Sequence, residues 1–202
     1  MTELSFPLLA YCLGAYLLGS VPCGYLIGRL AYGVDLKTVG SGNIGATNAY
    51  RVLGAKAGLS VFLCDFAKGV LAVLLGGLGN ELSTVLCAFF VIVGNDWSVF
   101  LHFKSGRGVA CGVGAFACLC PPAALAAFLV WLAVFLASKI VSLASICAAP
   151  AVPLVLYVLN EPAEYTVFGA LAAAMIIGKH KDNIGRLLRG EEKKISHEKR
   201  PS

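Results

Sequence analysis

Long apolar runs, separated by short polar stretches, dominate the hydrophobic pattern of this chain. Because these runs are continuous and do not alternate with polar residues, they favour membrane-spanning helices over a β-barrel. We place the spans at residues 5–30, 57–78, 82–101, 109–120, 122–137, 140–159 and 163–178. The pattern therefore predicts an all-α integral membrane protein, built as a compact bundle of about seven transmembrane helices.

Several of these predicted spans are shorter than the roughly 20 residues that a standard crossing needs. The clearest case is segment 109–120, because Pro121 and Pro122 follow it directly. Proline interrupts a helix, so this segment is expected to be tilted, re-entrant or shielded by its neighbours. A bundle of five crossings is the alternative if two short spans are re-entrant.

Composition supports the membrane class and limits the domain organisation. Hydrophobic residues make up 58% of the 202 residues and charged residues 13%, and the mean hydropathy is +0.82. These values lie outside the range of typical soluble domains. We expect one transmembrane domain at residues 1–180 and a basic cytoplasmic tail at 181–202. No basic residue precedes the first apolar run, so a retained helix is expected there instead of a cleaved signal peptide.

The distribution of charge orients the predicted bundle. One end collects Arg29, Lys37, Arg51, Lys56, Lys104, Arg107, Lys139, Lys179 and Lys181, whereas the other carries Glu3, Glu81, Glu161 and Glu164. By the positive-inside rule the basic end is cytoplasmic, with the amino terminus outside and the carboxyl terminus inside. The net charge of +5 follows from this topology and indicates a face near anionic lipids. We therefore expect no nucleic-acid partner.

The most distinctive polar stretch is GSGNIGATNAYR at residues 40–51, between two apolar runs. Its glycines, which free the backbone to bend around an anion, are Gly40, Gly42 and Gly45. Its side chains that can donate hydrogen bonds to anion oxygens are Ser41, Asn43, Thr47, Asn48 and Arg51. Membrane proteins rarely group so many polar side chains without a polar ligand, so the stretch predicts a phosphate cradle at the membrane surface.

Three further polar clusters lie at the ends of predicted spans on the basic face. They are FKSGRG at 103–108, SKIVSLAS at 138–145 and HKDNIGRLLRGEE at 180–192. The first places two cations on a glycine turn that suits a dianion, although an ordinary positive loop fits equally well. Serines spaced as in the second cluster more often hydrogen-bond to the backbone of a neighbouring helix than bind a substrate. A lone histidine such as His180, in the third cluster, is most often a surface residue.

Two polar groups fall inside the predicted spans. Asp65 and Lys68 are spaced so that they can neutralise each other on one helix face, which favours a structural ion pair over catalysis. Asn95 and Asp96 lie near the mouth, where Asp96 could orient a cation of the 103–108 cluster. The eight cysteines lie in or near apolar segments and are expected to pack as small hydrophobic residues. No disulfide, metal site or cofactor is expected.

Taken together, the four clusters resemble the bacterial acyl-phosphate:glycerol-3-phosphate acyltransferases, the PlsY family, in order and spacing over nearly the whole chain. The resemblance implies a compact seven-helix enzyme of the bacterial inner membrane, multi-pass, with its active site facing the cytoplasm. Such an enzyme acylates the sn-1 hydroxyl of glycerol 3-phosphate from acyl phosphate, without coenzyme A, and releases lysophosphatidic acid and phosphate. This is the first step of phospholipid synthesis. Its partners would be these substrates and membrane lipids, with a monomer expected and the oligomeric state left open.

The resemblance also assigns roles to individual residues. The catalytic residues that it implies are Arg51, Lys104, Arg107 and His180. The substrate-binding residues that it implies are Gly40, Ser41, Gly42, Asn43, Gly45, Thr47, Asn48, Ser142, Ser145 and Asn183. Either His180 or a substrate phosphate takes the hydroxyl proton, and the cations offset phosphate charge. No spacing of serine, histidine and acid favours a covalent acyl-enzyme.

This chain departs from the family pattern at several positions. Asn95, Asp96 and Ser98 stand in a stretch where the family commonly has histidine, an aromatic residue and proline. Ser105, Arg107 and Cys111 replace an expected glycine, lysine and threonine. A diverged, non-catalytic lipid-binding protein is therefore one alternative, and a small organic-phosphate transporter is another. Polar clusters on one membrane face, away from the midplane, weigh against the transporter.

Overall fold

The computed structural model describes residues 6–195, and every regular element in this range is helical. The α-helices are α1 Phe6–Ser20, α2 Cys23–Tyr32, α3 Ala46–Leu53, α4 Ala55–Gly76, α5 Glu81–Asp96, α6 Val109–Leu119, α7 Pro121–Ser138, α8 Val141–Ala148, α9 Ala151–Val158, α10 Ala163–Lys179 and α11 Lys181–Leu188. The all-α class is therefore confirmed for these residues. Glu3 and residues 196–202 of the predicted tail lie outside the described residues.

Five helical segments within the described residues are long and apolar enough to cross a membrane. They are Phe6–Tyr32, Ala55–Gly76, Glu81–Leu101, Pro121–Ser138 and Val141–Val158. The chain is thus a multi-pass helical membrane protein. Helix α6 has 11 residues and α10 has 17, so both are shorter than a standard span. The count of seven crossings and the orientation of the termini stay predictions.

Proline divides two of the spans that the apolar pattern predicts. The run at 5–30 is interrupted at Pro22, which separates α1 from α2, and the run at 140–159 is interrupted beside Pro150, which separates α8 from α9. Proline has no backbone N–H and its ring clashes with the preceding turn, so a helix does not continue through it unchanged.

Lys68 stabilises the break at the end of α1. Its ammonium group lies 2.6 Å from the Asp65 carboxylate, which confirms the predicted ion pair. The same group donates hydrogen bonds to the carbonyl of Val21 at 2.7 Å and to that of Gly19 at 3.4 Å. The carbonyl of Gly19 has lost its helical partner at the break, and an apolar surrounding offers no water to replace it; the carbonyl of Val21 also accepts from the N–H of Cys23 at 3.0 Å. The buried pair therefore completes the backbone hydrogen bonding of a neighbouring helix.

Glycines allow the helices that carry the site to pack closely. A Cβ atom on Gly114 of α6 would lie 2.0 Å from the carbonyl oxygen of Phe66, and one on Gly69 of α4 would lie 2.1 Å from that of Cys111. Small residues at such crossings let membrane helices approach each other backbone to backbone. Helices α4 and α6 are thereby fixed relative to each other, with the 103–108 segment leading directly into α6.

Candidate active site

The four polar segments singled out by the sequence meet at one end of the bundle, which we call the basic mouth. The Asn43 side chain donates to the carbonyl of Ser105 at 3.4 Å. The Arg51 guanidinium donates to the carbonyl of Lys193 at 3.0 Å, and the amide of Ile195 donates to the carbonyl of Lys139 at 2.7 Å. These contacts connect segments that are far apart in the sequence.

The loop before α3 is shaped around the side chain of Asn48. This amide is buried, accepts a hydrogen bond from the backbone N–H of Ser41 at 2.8 Å, and donates to the carbonyls of Leu36 and Val39 at 3.1 Å each. Gly40 adopts a left-handed conformation with φ +62°, and a Cβ there would lie 2.2 Å from the Asn48 amide oxygen. Asn48 thus positions the loop, and the ligand role expected for it stays a prediction.

Helix α3 carries Arg51 into the basic mouth. The arginine is 9% exposed, and its Nε has no hydrogen-bond partner among residues 6–195. The start of the helix is fixed by Asn43, whose side-chain oxygen accepts from the N–H of Gly45 at 2.7 Å. A buried guanidinium with an unused donor is suited to bind an anion.

A glycine turn presents Arg107 to the same mouth. The amide of Gly106 donates to the carbonyl of Asn95 at 2.8 Å, and Gly108 begins α6 with φ +70°. Burial lowers the pKa of Arg107, although the Glu192 carboxylate opposes the shift; the guanidinium nevertheless remains charged at neutral pH. Lys104, in contrast, is exposed and does not line the cavity described below.

Glu192 organises the polar groups on the opposite wall of the mouth. Its side chain is 5% exposed and accepts hydrogen bonds from Ser142 at 2.7 Å, Asn183 at 2.6 Å and Arg186 at 2.6 Å. Burial raises the pKa of the Glu192 carboxyl, but these three donors outweigh burial and lower it. Ser142 and Asn183 are therefore held in place by a carboxylate, and the amide oxygen of Asn183 has no partner within the described residues.

His180 lies at the end of α10, buried in the mouth. Its Nδ1 is 2.7 Å from the carbonyl of Ile176, and since a carbonyl can only accept, this nitrogen carries the proton. Nε2 is therefore left as an acceptor. Burial, assisted by the nearby Arg107 cation, lowers the pKa of His180 to about 4, although the hydrogen bond to Ile176 opposes the shift. The imidazole is accordingly neutral at pH 7 and a weak base.

Ser145 and Asp96 are less directly placed for chemistry. The Ser145 hydroxyl donates to the carbonyl of Val141 at 3.0 Å and accepts from the Trp131 indole at 3.3 Å. The Asp96 carboxylate is fully buried, and neither of its oxygens has a hydrogen-bond partner in the part of the chain that the structure describes. Lys179 donates instead to the backbone carbonyl of Asp96 at 2.6 Å. A hydrogen bond from Arg107 to the Asp96 carboxylate, which would orient that cation, is therefore not formed.

A cavity of about 620 Å³ extends from the basic mouth into the bundle. Of the residues predicted for the site, its walls include Ser41, Asn43, Gly45, Thr47, Asn48, Arg51, Arg107, Ser142, Ser145, His180 and Asn183. Its deeper walls are apolar, with Phe116, Ala124, Val152 and Ala172 among them. Gly40, Gly42 and Lys104 do not line it. One cavity therefore combines a cationic, hydrogen-bonding mouth with an apolar interior.

Sequence reasoning missed Glu192 and Arg186, although both lie within the 180–192 segment that it singled out. The available signal was an equal number of acidic and basic residues, three of each, in a stretch that also held His180 and Asn183. Residues 181–188 form α11, and residues 190–195 pack over the mouth, with Glu192 and Ile195 lining the cavity. The described part of the predicted tail is thus part of the site, while the domain boundary at 180 stays a prediction.

The fold and the cavity define a helical membrane protein with a pocket that is cationic at its mouth and largely apolar in its interior. Comparison with known proteins gives the family: residues 9–190 match the glycerol-3-phosphate acyltransferase family. The chain is 48% identical to glycerol-3-phosphate acyltransferase 2 of Moorella thermoacetica, over 90% of this chain and 94% of that protein. It is 42% identical to the glycerol-3-phosphate acyltransferase of Desulforamulus reducens, over 93% of this chain and 94% of that protein. The chain therefore belongs to the glycerol-3-phosphate acyltransferase family.

Solved structures agree with this assignment. The glycerol 3-phosphate form of PlsY, an integral membrane glycerol 3-phosphate acyltransferase, superposes with a TM-score of 0.89 at 40% identity. The match covers 94% of this chain and 96% of that one. The lysophosphatidic acid form of PlsY superposes with a TM-score of 0.87 at 39% identity, over 93% of this chain and 94% of that one. The predicted family resemblance is thus confirmed.

Proposed function

We propose that this protein transfers an acyl group from acyl phosphate to the sn-1 hydroxyl of glycerol 3-phosphate, yielding lysophosphatidic acid and inorganic phosphate. The observation that carries this proposal is the cavity, in which a mouth lined by Arg51 and Arg107 continues into an apolar interior. Acyl phosphate has the matching chemistry, with a phosphate joined to a long apolar chain. The family relatives, named as glycerol-3-phosphate acyltransferases, support glycerol 3-phosphate as the second substrate.

Binding of two phosphates is the main task of such a site. Arg51 contributes a buried guanidinium with an unused Nε donor, and Arg107 contributes a second, partly buried guanidinium from a glycine turn. Guanidinium groups bind phosphate oxygens in a two-pronged geometry that also fixes orientation. Ser41 and Thr47 line the same mouth and offer hydroxyl donors. Lys104 is exposed, so we assign it only a long-range contribution to the positive potential.

The reaction needs little covalent machinery, because acyl phosphate is an activated mixed anhydride. The glycerol hydroxyl oxygen bonds to the acyl carbon, the bond from that carbon to the phosphate oxygen breaks, and the phosphate leaves with the electron pair. Holding the reactants in contact supplies much of the rate. The arginines stabilise the negative charge on the acyl oxygen and on the leaving phosphate.

The hydroxyl proton goes to a phosphate oxygen or to Nε2 of His180. A general base works best when its pKa lies near the working pH, and the pKa of His180 is about 4. A phosphate, whose second pKa is near 6, matches neutral pH better. We therefore favour proton transfer to a substrate phosphate, with neutral His180 accepting a hydrogen bond from the hydroxyl and orienting it.

The proposed setting is the bacterial inner membrane, with about seven crossings and the basic mouth in the cytoplasm. The substrates would reach a monomeric enzyme from the cytoplasm and from the lipid phase, and no coenzyme A is required. A transporter has less support. Its substrate path would have to continue to the opposite face, whereas the apolar end of this cavity is lined by buried side chains, among them Phe116.

The proposed reaction is tested by phosphate release from palmitoyl phosphate, with and without glycerol 3-phosphate, using the purified full-length protein in detergent. Palmitoyl coenzyme A replaces the donor in a parallel reaction, and Arg51→Ala serves as the site variant. We expect phosphate release and lysophosphatidic acid formation only when both substrates and Arg51 are present. Equal activity with palmitoyl coenzyme A, or no turnover by folded protein, would refute the acyl-phosphate reaction.

A further inference from the structure

The apolar part of the cavity ends inside the bundle. Phe116 lies about 10 Å along α6 from its start at Val109, and Gly169 lies about 16 Å along α10 from the His180 end. Both residues line the cavity, as do Val152 on α9 and Ala124, which lies about 21 Å along α7 from its mouth end at Ser138. All four are buried. The deep end is therefore enclosed by protein and separated from lipid.

Phe116 is one of the buried side chains that enclose this end, close to Cys120, where α6 ends and α7 begins. Its ring stacks on the ring of Phe168, with centroids 4.8 Å apart and planes inclined by 20°. Phe116 is 4% exposed and Phe168 is 2% exposed, and Phe168 does not line the cavity, so it lies behind the Phe116 ring. A ring backed by a second buried ring has little room to move, because protein interiors are close-packed.

The shallow part of the cavity is different, because its walls reach the lipid-facing surface. Phe62 of α4 is 37% exposed and Phe128 of α7 is 50% exposed, and both line the cavity. Helix α4 packs mainly on α6, α5 and α3, whereas α7 packs mainly on α8, α9 and α6. An acyl chain can thus enter sideways between α4 and α7 and extend its methyl end toward Phe116.

We propose that Phe116, held in place by Phe168, sets the upper limit of acyl-chain length in the acyl phosphate substrate. This role rests on the proposed acyl-phosphate reaction and specifies its substrate class. A chain that fits the enclosed end fills it. A longer chain has to displace the stacked rings or bend back toward the side opening.

The selectivity follows from packing. A chain that leaves lipid for an apolar pocket gains little hydrophobic free energy, since lipid tails are equally apolar. A chain that is too short leaves a void, and one that is too long overpacks a filled site. The cost of overpacking a well-packed site corresponds to about a tenfold lower affinity or rate for the donor whose chain is too long.

The test compares stearoyl phosphate with lauroyl phosphate as donors, using glycerol 3-phosphate as acceptor and the full-length protein in lipid nanodiscs. We expect Phe116→Ala to raise the ratio of kcat/KM for the longer donor to that for the shorter about tenfold, and Phe116→Leu to raise it less. Ala172→Leu, which adds volume to the same pocket, should lower the ratio. Phe90→Ala is the matched control, because Phe90 is a half-buried phenylalanine of α5 that does not line the cavity.

The ratio is measured within one preparation, so a smaller folded fraction does not change it. An unchanged ratio in Phe116→Ala, or the same rise in Phe90→Ala, would overturn the role of Phe116. If the protein turns over neither donor, the proposed reaction fails. The role of Phe116 is then tested by binding alone, from the stabilisation of the protein against thermal unfolding by octadecyl phosphate and by dodecyl phosphate. In that assay the longer alkyl phosphate should stabilise Phe116→Ala more, relative to the shorter one, than it stabilises the wild type. The same relative stabilisation in the wild type and in Phe116→Ala would overturn the inference.

Discussion

The Ser142 hydroxyl donates a hydrogen bond to the Glu192 carboxylate at 2.7 Å, across 50 positions of sequence. Asn183 and Arg186 donate to the same carboxylate. A single buried anion thus connects the start of α8, the helix α11 and the segment after it. Because these groups surround the basic mouth, the order of one wall of the site depends on Glu192.

Replacing Glu192 should damage both stability and activity. In Glu192→Ala the partly buried Arg186 and the buried Asn183 lose their acceptor, and unsatisfied polar groups of this kind cost about 1–3 kcal/mol each. We expect a lower thermal unfolding midpoint and at least a tenfold loss of kcat/KM, because Ser142 and Asn183 are no longer held in place. The measurements are thermal unfolding and acyl transfer in the same detergent.

The neighbouring Glu191 provides a matched control for this prediction. Its carboxylate forms an ion pair with Arg189 at 2.7 Å, and both side chains are about 60% exposed. Exposed pairs contribute about 0–1 kcal/mol, so Glu191→Ala should resemble the wild type. Equal effects of the two substitutions would show that charge in the 190–195 segment matters and that the specific hydrogen bonds of Glu192 do not.

The three cations of the predicted site should differ in importance according to their placement. Arg51→Ala and Arg107→Ala each remove a guanidinium that lines the cavity, and we expect a loss of about 10²–10³ in kcat/KM. Lys104→Ala removes an exposed ammonium and should lower activity only a few-fold, with a stronger effect at low salt. Steady-state kinetics at two ionic strengths distinguish these cases. A loss of kcat/KM in Lys104→Ala as large as that in Arg51→Ala would contradict the long-range role and would indicate that Lys104 contacts a substrate phosphate directly.

The sequence predicted the class of fold from features that are local in the chain. Continuous apolar runs identify membrane helices, and the spacing of Asp65 and Lys68 was sufficient to predict their ion pair. The division of the first span at Pro22 was not predicted, although it too is a local effect of proline. These properties need only neighbouring residues, because helical hydrogen bonds and side-chain spacings extend over a few positions.

The exact composition of the site depends on contacts that a local pattern does not contain. Asn48 resembles a phosphate ligand in the sequence, yet its amide is used to fold the preceding loop. Lys104 belongs to a basic motif, but the turn directs it away from the cavity. Glu192 reaches Ser142 only because the chain returns to the mouth after α11. Family resemblance identified the segments, whereas tertiary structure decided which atoms face the cavity.

His180 should make the folded protein less stable as the pH falls from 7 to 5. Its pKa is about 4 in the folded state and 6.5 ordinarily, so between these values the unfolded chain binds the extra proton. Stability rises with pH wherever the unfolded state binds more protons, which gives a loss of about 1–2 kcal/mol over this interval. Thermal midpoints at pH 7 and 5 measure the effect. His180→Asn should reduce the difference, whereas the same change at the exposed His102 should not.

Gly40 is expected to tolerate no side chain, for a reason that goes beyond its backbone conformation. In Gly40→Ala the new methyl group would overlap the Asn48 amide oxygen, which holds the loop that leads to Arg51. Gly190 also has positive φ, +70°, but a Cβ there has nothing within 4 Å, so Gly190→Ala isolates the backbone strain of about 1–2 kcal/mol. We expect Gly40→Ala to lose most acyl transfer and Gly190→Ala to keep it, with a slightly lower unfolding midpoint. Similar activity in both variants would mean that the loop adjusts around Asn48, and that the precise shape of residues 40–48 is not required for catalysis.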